Sequence, residues 1–154
     1  MPLRSFHLPY TQVVETTVLA RAVPPDVWYE LHPAMQRAID SGNLSNLQLE
    51  SIVYACQQHE RTKINEDIHG HYEVGGFFLG DAAGVGKGRT IAGLILENWH
   101  RGRRKHMWFS VSGDLYHDAQ RDLNDVGASI IPTLSLTDLK YGDARLKDFE
   151  VRSG

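Results

Sequence analysis

The sequence is nearly without cysteine, has no long apolar run, and carries no strong excess of charge of either sign. Its one thiol, Cys56, has no internal disulfide partner and cannot build a cysteine-rich zinc centre. A reducing compartment, nucleus or cytoplasm, is the expected setting. No apolar stretch approaches the roughly 20 residues that cross a bilayer as a helix, and the first seven residues lack the apolar core of a secretory signal. No membrane partner is expected. The formal net charge is -3 and the pI about 6.2, so no global basic field draws nucleic acid. Any such partner must use a local surface. The histidines are scattered; His69 and His71 sit close together in a glycine-flanked polar loop, and no second pair completes a metal set.

What is present suits one domain. Of 154 residues, 42% are hydrophobic, enough for a real core. Residues 13–18 are β-prone, and Pro24-Pro25 interrupts regular structure before the aromatic Val27-Trp28-Tyr29, expected to cover a core edge. Residues 33–40 read as a short helix ended by Ser41-Gly42-Asn43. Residues 45–60 read as a firmer one, because Leu49, Ile52, Val53 and Cys56 fall on one face. Residues 61–72 read as a loop. Then strand-like and helical patterns alternate. Residues 74–79 and 107–111 suit buried strands, and 129–134 a third, although Pro132 argues for a sheet edge. Residues 90–99 form a helix with Ala92, Ile95, Leu96 and Trp99 on one face. Residues 114–126 form another, with Asp114 suited to the N-cap and Gly127 to the C-terminal turn. The expected fold class is α/β, a short parallel sheet flanked by helices. Such a sheet leaves an open edge, so the isolated chain is expected to be marginally stable or to cover that edge with its tail.

The chemistry concentrates in Gly80-Asp81-Ala82-Ala83-Gly84-Val85-Gly86-Lys87-Gly88-Arg89-Thr90. A glycine-rich turn between a strand and a helix brings backbone N–H groups to phosphate oxygens, and the helix N-terminus adds unpaired donors and partial positive charge. Lys87 supplies a point charge for the β- and γ-phosphates. Asp81, Ala83, Gly84, Val85, Gly86, Lys87, Gly88 and Arg89 are the expected nucleotide-binding residues. The match to G-x-x-x-x-G-K-[ST] is partial: Asp81 stands at its first position and Gly88 at its last. Gly88 lacks the hydroxyl that normally ligates Mg²⁺, and Thr90, two residues on, points to roughly the opposite side of the helix.

Several blocks together resemble the strawberry notch family, whose ATPase core is of the superfamily 2 helicase type. They include Val14-Glu15-Thr16-Thr17, Pro24-Pro25-Asp26-Val27-Trp28-Tyr29, the run 44–50, Tyr54-Ala55-Cys56-Gln57-Gln58-His59-Glu60, and 76–97 around the loop. Trp108-Phe109-Ser110-Val111-Ser112, Asp114-Leu115 and Arg121-Asp122-Leu123 complete the set. Within this resemblance Gly88 is a family trait, while Ala82 replaces an expected glycine. It implies a partial RecA-like P-loop NTPase lobe over 44–154, incomplete at its C-terminus, preceded by an irregular segment 1–43 with a short helix. It implies ATP, accompanied by Mg²⁺, as the cofactor, and Gln48 as an adenine reader, since a side-chain amide both donates and accepts. By pattern alone Gln48 is a surface residue of an amphipathic helix. The resemblance further implies nuclear regulation of transcription or chromatin, with chromatin or transcription proteins as partners. Ser110, Ser112 and Gly113 suit either nucleic-acid phosphates or simple helix capping. Arg101, Arg103, Arg104 and Lys105 read as a solvated connector.

A helicase-type ATPase also uses an Asp-Glu pair after a later strand; Asp138, Asp143, Asp148 and Glu150 form none. The expectation is nucleotide binding with little turnover by this chain alone. The rival expectation is a non-enzymatic interaction module whose loop is vestigial.

Overall fold

Ser45 opens the firmest element. Its side chain accepts from the Gln48 N–H at 3.3 Å while the Gln48 side chain accepts from the Ser45 N–H at 2.9 Å, a reciprocal capping box. Helix α2 (Asn46–Glu60) follows, preceded by a 3-10 turn (Pro33–Met35) and the short helix α1 (Gln36–Asp40). The computed structural model describes residues 25–61, 63–64, 72–73, 75–82 and 84–140. The expected strand at 13–18, the His69 and His71 pair, Val74, Ala83, and Asp143, Asp148 and Glu150 in the tail lie outside the described residues.

Helix α3 spans Lys87–His100 and begins one turn earlier than the apolar pattern suggested, directly after Gly86. Helix α4 spans Leu115–Asp125. Asp114 holds the N-cap position without a side-chain capping bond; instead its own N–H donates to the Ser112 Oγ at 3.3 Å. The far end of α4 closes as expected: Gly127 is left-handed (φ 82), and the Ala128 N–H reaches back to the Leu123 carbonyl at 2.8 Å.

The core is made where α3 lies between α2 and α4. Ile52 and Cys56 of α2, Ala92 and Leu96 of α3, and Leu123 and Val126 at α4 are buried in one cluster with Tyr29, Met35 and Leu44. Each large aliphatic side chain so buried contributes roughly 1.5–3 kcal/mol. The Ile52 Cδ1 occupies the space a side chain at Gly93 would need, and Leu44 methyls lie 3.4 Å from that point, so α2 and α3 meet closely because residue 93 has no Cβ. The arm preceding α1 is pinned from two sides. The buried Gln57 Oε1 accepts from the Trp28 and Tyr29 N–H groups at 2.9 and 3.3 Å, and its Nε2 donates to the Asp26 carbonyl. Tyr29 covers the core edge as expected, while Trp28 is 54% exposed.

Among the described residues the parallel sheet is not found. The only strands among these residues are β1 (Lys63–Ile64), inside the stretch expected as a loop, and β2 (Tyr72–Glu73), at its end, an antiparallel pair. Residues 75–80 and 107–110 run without ladder partners, and 129–131 form a turn. Phe78 is 89% exposed and Val111 100%. The α/β expectation, a RecA-like lobe with a short parallel sheet, is therefore corrected to a packed helical layer. A buried parallel strand needs neighbours on its edges and helices on both faces. Here α2 and α4 cover the sides of α3, and Gly75, Gly76 and Gly80 leave only Phe77-Phe78-Leu79 as a strand-forming run.

Candidate functional site

The glycine-rich turn forms without a sheet beneath it. Gly84 and Gly86 take φ of 84 and 85°, which other residues avoid. Gly86 is the N-cap of α3, and its carbonyl accepts the first helical bond from the Thr90 N–H at 3.2 Å. The N–H groups of the first turn have no partner inside the helix, so the turn presents Lys87, Gly88 and Arg89 amides at the positive end of a 14-residue helix. Thr90 is buried with its hydroxyl 3.5 Å from the Gly86 carbonyl.

Lys87 folds over its own loop. Its Nζ donates to the carbonyls of Asp81 and Ala82, both at 2.7 Å. An ammonium has three donors, so one remains for an oxyanion while the other two close the turn. An incoming phosphate competes with those two carbonyls for the same charge. Two surface cavities, about 300 and 360 Å³, lie elsewhere; neither is lined by residues 80–90. Backbone donors on a turn need no preformed cavity to meet an anion.

Gln48 is not a surface residue; it is 9% exposed, and both ends of its amide are engaged. The Oε1 completes the capping box, and the Nε2 donates to the Gly86 carbonyl at 3.1 Å. The structure thus brings Gln48 to the loop through its backbone. Arg89 turns to α4 and pairs with Asp125 at 2.5 Å, leaving its buried Nε without a partner among the described residues. Val85 is exposed and Asp81 partly buried.

Gly88 meets Asp122. A Cβ placed at Gly88 would overlap the Asp122 Oδ2 and stand 3.0 Å from its Cγ. Burial raises the Asp122 carboxyl above its ordinary value, against the pull of Arg121 and Arg89. In the sequence Asp122 stands out only as part of Arg121-Asp122-Leu123; its contact with Gly88 links elements that nothing in the local pattern relates. Gln57 and Glu97 were missed in the same way.

Ser110, Ser112 and Gly113 are exposed in the turn before α4. The Ser110 hydroxyl donates to the Ser112 carbonyl at 3.0 Å, and Ser112 receives the Asp114 N–H. Of the basic connector, Arg101 pairs with Glu97, Arg103 with Glu60, and Arg104 lies 5.0 Å over the Trp99 ring.

Residues 8–154 match the family described as P-loop containing NTP hydrolase pore-1. The chain belongs to this family. The 80–90 segment carries the nucleotide-binding pattern, and among the described residues it leads into the N-terminus of α3. The strawberry notch resemblance holds. The chain is 54% identical over 130 residues to protein strawberry notch homolog 1 of Gallus gallus, covering 84% of this chain and 10% of that protein. It is 50% identical over 129 residues to protein strawberry notch of Drosophila melanogaster, covering 84% and 7%. It is also 45% identical over 145 residues to protein FORGETTER 1 of Arabidopsis thaliana, covering 92% and 10%. The chain spans about a tenth or less of the length of these relatives. No solved structure matches it. These likenesses make the chain part of a P-loop NTP hydrolase region.

Proposed function

We propose that this chain is the part of a strawberry notch-like ATPase that grips the phosphates of ATP. The supporting observation is the geometry at Gly86-Lys87: a left-handed glycine that starts α3 and places the lysine at its first helical position. Backbone amides of Gly86–Arg89 (residues 86–89) take the phosphate oxygens, Lys87 supplies the charge, and Gln48 fixes the Gly86 carbonyl from behind. Mg²⁺, when it accompanies the nucleotide, neutralises charge between the β- and γ-phosphates. Gly88 offers it no oxygen, but the Asp122 carboxylate fills the space a side chain there would take, so the donor set suits a hard cation. Regulation of transcription or chromatin in the nucleus is the setting we assign to the whole protein, with Ser110, Ser112 and Gly113 offered as its nucleic-acid contact.

Titration of the 154-residue chain with a fluorescent ATP analogue tests this. Lys87→Ala is expected to weaken binding by about tenfold or more, about 1.4 kcal/mol. Equal and negligible binding by wild type and Lys87→Ala would defeat the proposal. It would favour a second reading, a protein-interaction module, which one observation supports: Phe78, Met107, Phe109 and Val111 are each at least 70% exposed.

A further inference from the structure

We propose that Asp122 takes the place of the hydroxyl missing from the phosphate loop and is an oxygen ligand for the divalent cation of a bound nucleotide. The proposal rests on the nucleotide-binding reading above and adds a residue to it.

Position 88, immediately after the loop lysine, is where P-loops carry the serine or threonine that meets Mg²⁺. A hydroxyl there projects one bond beyond the Cβ. In this chain the Cβ is absent, and an Asp122 carboxylate oxygen stands in the space it would fill, with the Cγ 3.0 Å and Oδ1 3.8 Å from that point. An oxygen donor is thus returned to the same side of the same helical turn, from α4 rather than from the loop.

Three acidic residues of α4 face different fates. Asp118 pairs with Arg121 at 2.9 Å, and Asp125 with Arg89 at 2.5 Å. Among the described residues no group donates a hydrogen bond to Asp122. Both basic residues beside it are engaged elsewhere: Arg121, adjacent in sequence, with Asp118, and Arg89 with Asp125. Asp122 is partly buried between these two paired carboxylates. Placement beside a helix N-terminus gives it some stabilisation, but that position is also where phosphate must bind. Without a cation, Asp122 and a phosphate repel each other. With one, a hard divalent ion with oxygen preference joins them.

This produces a crossed signature that a structural role would not. A fluorescent ATP analogue is titrated into the full chain with excess Mg²⁺ and, separately, with EDTA. Wild type is expected to bind about tenfold or more tighter with Mg²⁺. Asp122→Asn is expected to bind better than wild type in EDTA and to gain less than about twofold from Mg²⁺. The double variant Gly88→Ser with Asp122→Asn returns a hydroxyl to the loop and is expected to recover the gain. Thermal melting of each variant without ligand checks folding; if Asp122→Asn does not fold, Asp122→Ala is used in its place. Binding by Asp122→Asn with an undiminished Mg²⁺ gain would overturn the proposal while leaving nucleotide binding intact. Absence of binding by wild type in both conditions would overturn the nucleotide reading itself, and this inference with it.

Discussion

The Tyr29 hydroxyl donates to the Glu97 carboxylate at 2.8 Å, tying the arm before α1 to the helix that follows the phosphate loop. Glu97 is completely buried, yet its charge is surrounded by donors: the His32 N–H at 2.9 Å and the Arg101 Nε at 2.7 Å as well as Tyr29. Burial, then the bond to Glu97, holds the Tyr29 hydroxyl far above its ordinary pKa. Removing the carboxylate strands Arg101 and two donors. Glu97→Ala is expected to destabilise the chain by about 3–5 kcal/mol, and Tyr29→Phe by about 1.5–3 kcal/mol. Urea unfolding followed by circular dichroism checks both. An Ala variant as stable as wild type would show that the arm is not held there.

Gly86 carries two constraints at once. Its φ of 85° is left-handed, and a Cβ there would overlap the Gln48 Nε2. Gly86→Ala is expected to lose about 1–2 kcal/mol from the backbone alone, and more because Gln48 must move. Gln48→Ala removes half of a capping box and the bond to Gly86, a loss of about 1 kcal/mol. Because both changes disturb the same carbonyl, their effects on stability should fall short of additive. A double variant whose loss equals the sum would show that the contact is incidental.

The parts of this structure legible in the sequence are those set by short-range pattern. Ile52 and Cys56 announce a helix face four residues apart, Ser45 announces its start, and Gly127 the end of α4. The Gly-x-Gly-Lys string announces the loop. What stayed hidden depends on distant partners. Residues 107–111 look like a buried strand because their side chains are apolar, but a strand exists only where another chain segment completes its ladder, and none among the described residues does. Gln57, Glu97 and Asp122 are polar residues on helices, indistinguishable by spacing from solvated ones. Their roles come from what α2, α3 and α4 bring beside them.

His59 gives the chain an acid-sensitive element. Burial, then the nearby Arg103 guanidinium, pushes its imidazole below the ordinary value of 6.5, partly opposed by Glu60. The native state therefore binds fewer protons than the unfolded chain in the window between that lowered value and 6.5. In that window stability rises with pH, and it falls as pH drops below about 6.5. His59→Asn should lose less stability than wild type between pH 7.5 and 5.5, measured as the shift in urea midpoint. Identical shifts in the two proteins would exclude His59 as a source. Arg103→Ala removes one cause and should narrow the difference.

Cys56 reports on the same packing from inside the core. It is 2% exposed on α2, and burial pushes its thiol up to about 12 from an ordinary 9.0. At pH 8 the native thiolate fraction is therefore about a thousandfold below that of the unfolded chain. Labelling by a thiol reagent should proceed at the rate at which α2 and α3 separate, and should accelerate with urea in step with global unfolding. The linkage sign follows from the same shift. Between pH 9 and 12 the native state holds a proton that the unfolded thiol releases, so stability declines as pH rises through that range. Cys56→Ala removes this contribution and should flatten the alkaline decline, at a loss of core packing visible at pH 7. Rapid labelling of the native chain, at a rate indifferent to urea, would mean that α2 does not present this face to α3, and the bond from Gln48 to the Gly86 carbonyl would lose its frame.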